Sequence, residues 1–375
     1  MVEFQQLFGV YEKGIVLENL IGSTPTSIGP AAASNLLPDI VHGMMTNPTW
    51  GAGATIGPDQ IDKMEMRIAS LFCRANDFTW DGVVNERINF RDWAFQNAQY
   101  CLLDATVIGG RFALTPAVPY GADYRIDAFA RPDIKALFTD GLMKDMSVQF
   151  LSPEDRQLFQ AAVVWRQDTV NGFAKTRQFT IRLVEEQGGS PDDAIETFDL
   201  SQFCTTEAHA AQYAYYALKV RQLVDHAITF QTTPQAAMAL RPGNYFKVAS
   251  NVTHTSRFNN GSINNEGYIT SNETLQDGPY DIYYWRPGTE GISEGTMFVQ
   301  DGKSVDGGLN NTVFTLRLGQ EQTRVYKLES LTYAEDGFVE VTGSHMPLTN
   351  IGTLAIMDWN PSYFTSGDCQ AYGPA

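Results

Sequence analysis

Residues 206–250 read TEAHAAQYAYYALKVRQLVDHAITFQTTPQAAMALRPGNYFKVAS, and this stretch sets the fold class. Ala210, Tyr213, Ala214, Ala217 and Leu218 recur at i, i+3, i+4, i+7 and i+8, the spacing that lines up side chains on one face of an α-helix. Thr206 stands where an N-cap is wanted and the pattern fades at Asp225, so a helix is predicted over 206–225. AITFQTT (227–233) then reads as a strand, Arg241-Pro242-Gly243 as a turn, and YFKVAS (245–250) as a second strand. A long helix running directly into strands and a turn is an α+β pattern, not a helical bundle or an all-β sandwich.

Toward the N-terminus the text alternates between the two periods. SVQFL, AAVVWRQ and RQFTIRL give a β-like run over about 137–183, followed by a polar loop, EQGGSPDD, at 186–193. Ala94, Ala98, Cys101, Leu102 and Ala105 predict a helix over about 91–105, and Gly109-Gly110 between apolar runs is a hairpin signal, because a type I′ turn needs two residues at positive φ. Strands around a turn at Asp81-Gly82 are expected over 77–89. A helix with Ile61, Met64, Ile68, Leu71 and Phe72 on one face is expected over 59–74. A glycine-rich loop, 51–58, precedes it. A short helix from Asn35 ends at Asn47-Pro48, since the residue before proline avoids the α region. A small-residue loop, 21–34, and short strands within 1–20 begin the chain.

Toward the C-terminus the composition changes. Residues 251–320 are dense in Asn, Gly and Ser, with short strands such as YDIYYW, TMFVQ and TVFTLRL. In YDIYYW the alternate sets Asp281, Tyr283, Trp285 and Tyr280, Ile282, Tyr284 are equally good candidates for the buried face. RVYKLESLTY and FVEVTGSHM, joined at Asp336-Gly337, read as a closing strand pair. Without further information the chain reads as a soluble, multidomain, oligomeric α+β protein.

Composition narrows the function classes. The chain has 375 residues, with Lys plus Arg 26 against Asp plus Glu 43 and a net charge of −17. Such a chain is a poor binder of nucleic acid through phosphate neutralisation, and no sequence-specific nucleic-acid contact is expected. The acidity serves solubility, or the lining of a channel that DNA must pass without sticking. Charged residues make up only 18% and aromatic residues 12%, which predicts surface covered by other chains. The four cysteines form no CxxC pair and are expected as buried free thiols. No basic region followed by an apolar core opens the chain, and no apolar run reaches the roughly 18 residues of a membrane span. Synthesis in the cytoplasm is therefore expected.

Several motifs suggest chemistry, and each has a plainer reading. Gly51-Ala-Gly53-Ala-Thr-Ile-Gly57 looks like a phosphate-binding loop, but Asn47-Pro48 stands where the buried strand should be and the third glycine is one residue late. Gly291-Ile-Ser293-Glu-Gly295 fits GxSxG, yet a strand, not a helix, follows it, and His345 is the one histidine downstream. The five histidines (His42, His209, His226, His254, His345) are scattered, no HExxH occurs, and Cys204 with His209 lacks a second ligand pair. His209 and His226 are expected at the two ends of one helix, where the dipole favours a charged His226. Glu185-Glu186 and Asp192-Asp193 lie in and beside a polar loop, not across a cleft. The sequons at Asn251, Asn260, Asn272 and Asn310 carry no meaning without a secretory signal. No catalytic, cofactor-binding or metal-ligating residue is expected, and no cofactor.

The order of several phrases carries more. Thr46-Asn-Pro48-Thr-Trp50-Gly51-Ala-Gly53, Trp93 to Asp104 with Gly109-Gly110-Arg-Phe-Ala-Leu, Phe138-Thr-Asp140 through Val164-Trp-Arg, Glu207 through Val248, and Arg324-Val-Tyr-Lys-Leu-Glu-Ser through Glu340-Val-Thr-Gly follow one another in the chain. Together they resemble the lambda-like tail-tip attachment proteins of long-tailed bacteriophages (the J-type central tail proteins) and the related gene-transfer-agent hubs. The resemblance spans about 30–350, and the block 207–248 is its most specific part. One departure is Asn244, where the family's turn carries Asp after glycine.

The resemblance implies a β-rich α+β tail-hub architecture, with barrel-like hub domains beside small helix-containing domains. Its expected divisions are a helix-containing domain at 1–136; a barrel-like domain at 137–250, with the helix 206–225, completed by strands at 321–345; a small inserted β domain at 251–320; and a tail at 346–375. It also implies a homotrimeric ring that closes the distal end of the tail tube. Tail-tube and distal tail proteins lie on one side and tip or fibre proteins on the other, with phage DNA passing through. The expected location is the virion, in a short hub lacking long receptor-binding extensions. A receptor- or carbohydrate-binding tail module, centred on 251–320, and a tail-associated cell-wall hydrolase are the alternatives.

Overall fold

The computed structural model describes residues 16–22, 29–84, 88–167, 175–250, 260–271, 274–316, 324–334 and 337–366. It is β-rich α+β, in two compact units. Unit 1 comprises Met1–Ala130, Gln157–Val220 and Met357–Ala375; unit 2 comprises Arg131–Arg156 and Arg221–Ile356. The short strands expected within 1–15, His254, Cys369, the sequon positions Asn251 and Asn272, and Asp336 of the turn at Asp336-Gly337 lie outside the described residues.

In unit 1 a two-stranded pair, β1 (Val16–Leu17) with β2 (Ala32–Ala33), precedes helix α1 (Leu37–Thr46). Helix α2 (Lys63–Ala75) starts at Asp62, whose carboxylate accepts from the Met64 and Glu65 N–H groups and so satisfies two otherwise orphan donors. Helix α3 (Phe90–Tyr100) is capped in the same way by Asn89. It stops at Cys101, short of the expected 105. Leu102 turns to φ +50, and Leu103–Ile108 becomes strand β3, because Thr106 and Val107 are β-branched and pair with β4 (Arg111–Pro116). Gly109 and Gly110 close this hairpin at φ +58 and +78, the conformation that the sequence demanded.

The strands expected over 77–89 do not form among the described residues. Trp80 N–H donates to Asn35 O and Asp81 N–H to Phe203 O, so the backbone donors are taken one at a time by separate segments and no ladder develops. Strands β7 (Phe159–Gln167), β8 (Lys175–Leu183) and β9 (Ala194–Asp199), with β20 (Phe364–Ser366), form a four-stranded sheet in the order β20-β8-β7-β9. Helix α4 (Glu207–Leu223) follows the predicted helix to within two residues. Thr206 does stand before it, but its hydroxyl is buried without a hydrogen-bond partner and does not cap the helix.

Unit 2 holds two six-stranded sheets. The first has the order β5-β11-β18-β19-β10-β6, from β5 (Ile134–Thr139), β6 (Lys144–Phe150), β10 (His226–Thr232), β11 (Tyr245–Ala249), β18 (Arg324–Tyr333) and β19 (Val339–His345). A four-residue helix α5 (Pro234–Ala237) lies between β10 and β11. β5 and β6 are the two outer strands, yet they are consecutive in the chain. Five gaps of roughly 4.8 Å would hold them about 24 Å apart in a flat sheet. The five residue steps from Thr139 to Lys144 reach at most about 18 Å. The sheet therefore curls nearly into a barrel. Phe138, Phe230, Phe246 and Tyr326 fill it, with ring centroids 4.9 Å apart for Phe138 and Phe230. Each such buried side chain contributes roughly 1.5–3 kcal/mol.

The turn into β11 is held by Gly243 and Asn244. Gly243 sits at φ +90, Asn244 Oδ1 accepts from Arg241 N–H at 3.0 Å, and Gly243 N–H donates to Leu328 O at 2.8 Å. An amide oxygen accepts here as a carboxylate would, so Asn in place of Asp leaves the turn intact.

The second sheet has the order β13-β12-β17-β14-β15-β16, from β12 (Asn260–Ile263), β13 (Ile269–Ser271), β14 (Gly278–Trp285), β15 (Ser293–Gln300), β16 (Lys303–Ser304) and β17 (Thr312–Leu316). Both alternate faces of YDIYYW are used. Ile282, with Tyr280 and Tyr284, packs on Met297 and Phe314, while Trp285 and Tyr283 pack into the aromatic core of the first sheet. Neighbouring Val313 and Phe314 divide in the same way.

Candidate functional site

The most developed polar constellation lies where β10 leaves the end of α4. Asp225 follows the helix, His226 is the first residue of β10, and β19 pairs antiparallel with β10 so that its last residue, His345, arrives beside them. Asp225 Oδ1 accepts from His226 Nδ1 at 2.6 Å and from His345 Nδ1 at 2.7 Å. The two imidazoles stack with centroids 4.4 Å apart. On the far side of His226, Nε2 meets Tyr326 Oη at 2.9 Å and Arg324 Nη1 at 3.3 Å, both residues carried by β18. Leu151 N–H donates to the Asp225 backbone carbonyl at 2.9 Å, tying in the chain just beyond β6.

Electrostatics follow burial. The His226 side chain is fully buried, and burial lowers its imidazole more than the adjacent Asp225 carboxylate restores. Burial pushes His345 down to about 4, again against Asp225. Burial alone would raise the Asp225 carboxyl, but the two imidazole N–H groups outweigh it and the net direction is down. Burial raises the Tyr326 phenol. His226 is therefore not the dipole-stabilised cation expected at a helix end; it lies beyond α4, inside β10, as a neutral imidazole.

The expectation that the histidines stay scattered fails here. Nothing in the local sequence around 226 or 345 indicates the meeting, which depends on the β10–β19 register. Among the described residues, only Asp225, His226 and His345 bring three metal-capable side-chain atoms within 4.8 Å of one another.

A second cluster lies inside unit 1. Cys73 of α2, Cys101 at the end of α3, and Cys204 are buried free thiols. Cys101 and Cys204 lie against the ring of His209, in the first turn of α4. His209 Nε2 lies 2.9 Å from the Tyr100 carbonyl, and the ring packs on Phe78. Burial would lower this imidazole; the neighbouring thiols reverse the direction and raise it.

The remaining motifs take their plainer readings. Gly51, Ala52 and Gly53 turn their N–H groups back onto the Asn47 and Met44 carbonyls at the end of α1, and a Cβ on Gly53 would lie 2.0 Å from Thr46 O. These glycines serve close packing, with no donors left to cradle a phosphate. Ser293 opens β15, exposed and paired with Tyr284, so no strand-to-helix elbow presents its hydroxyl. Asp193 accepts from Ser190 N–H at 2.7 Å in its own loop, and Glu185 and Glu186 begin a single 3-10 turn. A cleft lined by Thr139, Asn260, Ser262, Thr270 and Ser271 offers hydroxyls and amides without an aromatic platform. No helix among the described residues is long and apolar enough to cross a membrane.

The surface carries its own signal. β6 forms one edge of the curled sheet; Met146 and Val148 pack against the aromatic core, Asp145, Ser147 and Gln149 face outward and are exposed, and Phe150 at its end is 64% exposed with Leu151 beyond it. Tyr333, at the end of β18, is 75% exposed.

No family model matches the chain, and no curated protein is similar to it. Among solved structures, it is similar to a protein in the virion of a native gene transfer agent particle, at 10% identity and a TM-score of 0.34, over 78% of this chain and 49% of that one. It is similar to a tail protein from Neisseria meningitidis MC58 at 9% identity and a TM-score of 0.31, over 71% of this chain and 58% of that one. It is similar to a prophage MuSo2 tail protein from Shewanella oneidensis at 8% identity and a TM-score of 0.29, over 70% of this chain and 56% of that one. The chain thus spans about half the length of the first of these proteins.

Proposed function

We propose that this chain is a structural subunit of a bacteriophage tail tip, a hub component that assembles with copies of itself into a homotrimeric ring at the distal end of the tail tube and has no catalytic role. Tail-tube or distal tail proteins contact one side of the ring and tip or fibre proteins the other. Phage DNA passes through without sequence-specific contacts, an arrangement that suits a net charge of −17. Its place is the virion tail, with a part in host attachment and DNA ejection.

The observation that carries this reading is the edge strand β6. A sheet that curls almost to closure leaves β6 as an outer strand, open along its edge and its outer face, and ends it in an exposed Phe150 beside Leu151. Open edges and exposed aromatic residues are the surfaces that a partner chain covers. Closed rings are built from head-to-tail contacts in which one patch meets a different one on the next copy. The ordered phrases of the sequence support the same reading. The most specific block, 207–248, folds as one continuous run of α4, β10, α5, a glycine turn and β11. The decisive experiment is co-purification of the tagged chain with tail-tube proteins from phage-producing cells; a tagged chain recovered without them contradicts the proposal.

A second reading rests on the inserted sheet, where Tyr268 and Phe298 are about half exposed and Lys303 lies 3.9 Å from the Tyr268 ring centroid. These features suit a receptor-binding module. Binding to a glycan array by the isolated chain, abolished by Tyr268→Ala, would favour it.

A further inference from the structure

We propose that Asp225, His226 and His345 form a mononuclear site for a borderline divalent cation, with Zn²⁺ as the natural occupant, that ties the start of β10 to the end of β19. This goes beyond the assembly role and does not depend on it.

Three observations point to it. The donor set is two imidazole nitrogens and one carboxylate oxygen, the combination that favours zinc and its neighbours over calcium or magnesium. The donor atoms are close together: both Nδ1 atoms lie within 2.7 Å of the same Oδ1, and all three lie within 4.8 Å of one another. The other ring nitrogen of His226 is held by the Tyr326 hydroxyl at 2.9 Å. Metal-binding histidines are fixed in this way, through the ring nitrogen that does not touch the ion.

The atoms now sit at hydrogen-bond distance, whereas ligands about a tetrahedral Zn²⁺ stand about 3.3 Å apart, given bonds of roughly 2.0–2.2 Å. Loading therefore opens each Nδ1–Oδ1 pair from 2.6 and 2.7 Å by roughly two-thirds of an ångström. Asp225 and His345 keep 28% and 14% of their side-chain surface exposed, which provides both the slack and the entry path. The proton on each Nδ1 moves to Nε2, and in His226 it is then donated to Tyr326 Oη. Water takes the fourth position. Arg324, 3.3 Å from His226 Nε2, opposes the added charge and keeps the affinity moderate.

The test is equilibrium dialysis of the full chain against Zn²⁺ with elemental analysis, followed by Co²⁺ titration read by visible absorption. We expect one ion per chain and a tetrahedral cobalt spectrum without a sulfur charge-transfer band. His345→Gln and Asp225→Asn should each weaken binding by about tenfold or more. Failure of wild type to retain an ion overturns the proposal whether or not the variants fold. So does a thiolate charge-transfer band that survives His345→Gln and vanishes in Cys101→Ser, because the ion would then belong to the cysteine cluster of unit 1.

Discussion

The two six-stranded sheets of unit 2 have equal strand numbers and opposite origins. The curled sheet gathers β5 and β6 from one stretch, β10 and β11 from a second, and β18 and β19 from a third. The other sheet takes every strand from 260–316. The first is filled by large aromatic rings and leaves an outer strand, β6, uncovered on its outward face and along its edge. The second is filled mainly by aliphatic side chains and lends Trp285 and Val313 to its neighbour. The contrast teaches that the inserted sheet is also a wall of the aromatic core. Local strand pairing gives it a simple fold, while its outward rings tie it to a sheet assembled over long sequence distances.

That layering can be broken at its shared residue first. Trp285 is 1% exposed and its indole N–H donates to Thr289 O at 2.8 Å. Trp285→Ala should cost about 3–5 kcal/mol in guanidinium unfolding, and hydrogen exchange should rise in both sheets. A loss confined to 260–316 would show that the sheets are independent. Met297, fully buried on the other face, makes the complementary test: Met297→Ala should cost about 2–4 kcal/mol, with increased exchange limited to the inserted sheet.

Gly343 probes the curled sheet alone. A Cβ there would meet the Phe246 ring at 2.8 Å and the Lys327 carbonyl at 3.0 Å. Gly343→Ala should therefore lower stability by about 1–3 kcal/mol, a shift readable by thermal denaturation. The smallest effect on folding belongs to the uncovered edge. Phe150→Ser should change stability by no more than about 0.5 kcal/mol, since the side chain is exposed. Sedimentation should nevertheless reveal weakened self-association, by roughly tenfold if Phe150 is a central contact. Unchanged association would remove the edge strand from the interface.

The sequence made local order legible and left long-range meetings hidden. Gly109-Gly110 announced its hairpin because few residues tolerate two successive positive φ values. α4 was legible because Ala210, Tyr213, Ala214, Ala217 and Leu218 keep the helical spacing over roughly two turns. α3 ends earlier than its spacing predicts because Ala105 continues the helical pattern while Thr106 and Val107 favour a strand with a partner further on. The 77–84 segment carries aromatic residues suited to a strand, but its donors are claimed singly by distant carbonyls. In YDIYYW, choosing one buried face was impossible because both are buried in part. The Asp225, His226 and His345 group was hidden for a related reason: its ligands become neighbours only through the antiparallel register of β10 with β19, and nothing local encodes that register.

The mass of the purified chain in solution, by sedimentation equilibrium or native mass spectrometry, tests most directly whether the open edge of the curled sheet is built to be covered by identical neighbours. A closed species of three chains, dissociating when Phe150 is replaced, is the expected result. A compact monomer at every concentration, with no affinity for tail-tube proteins, would contradict it.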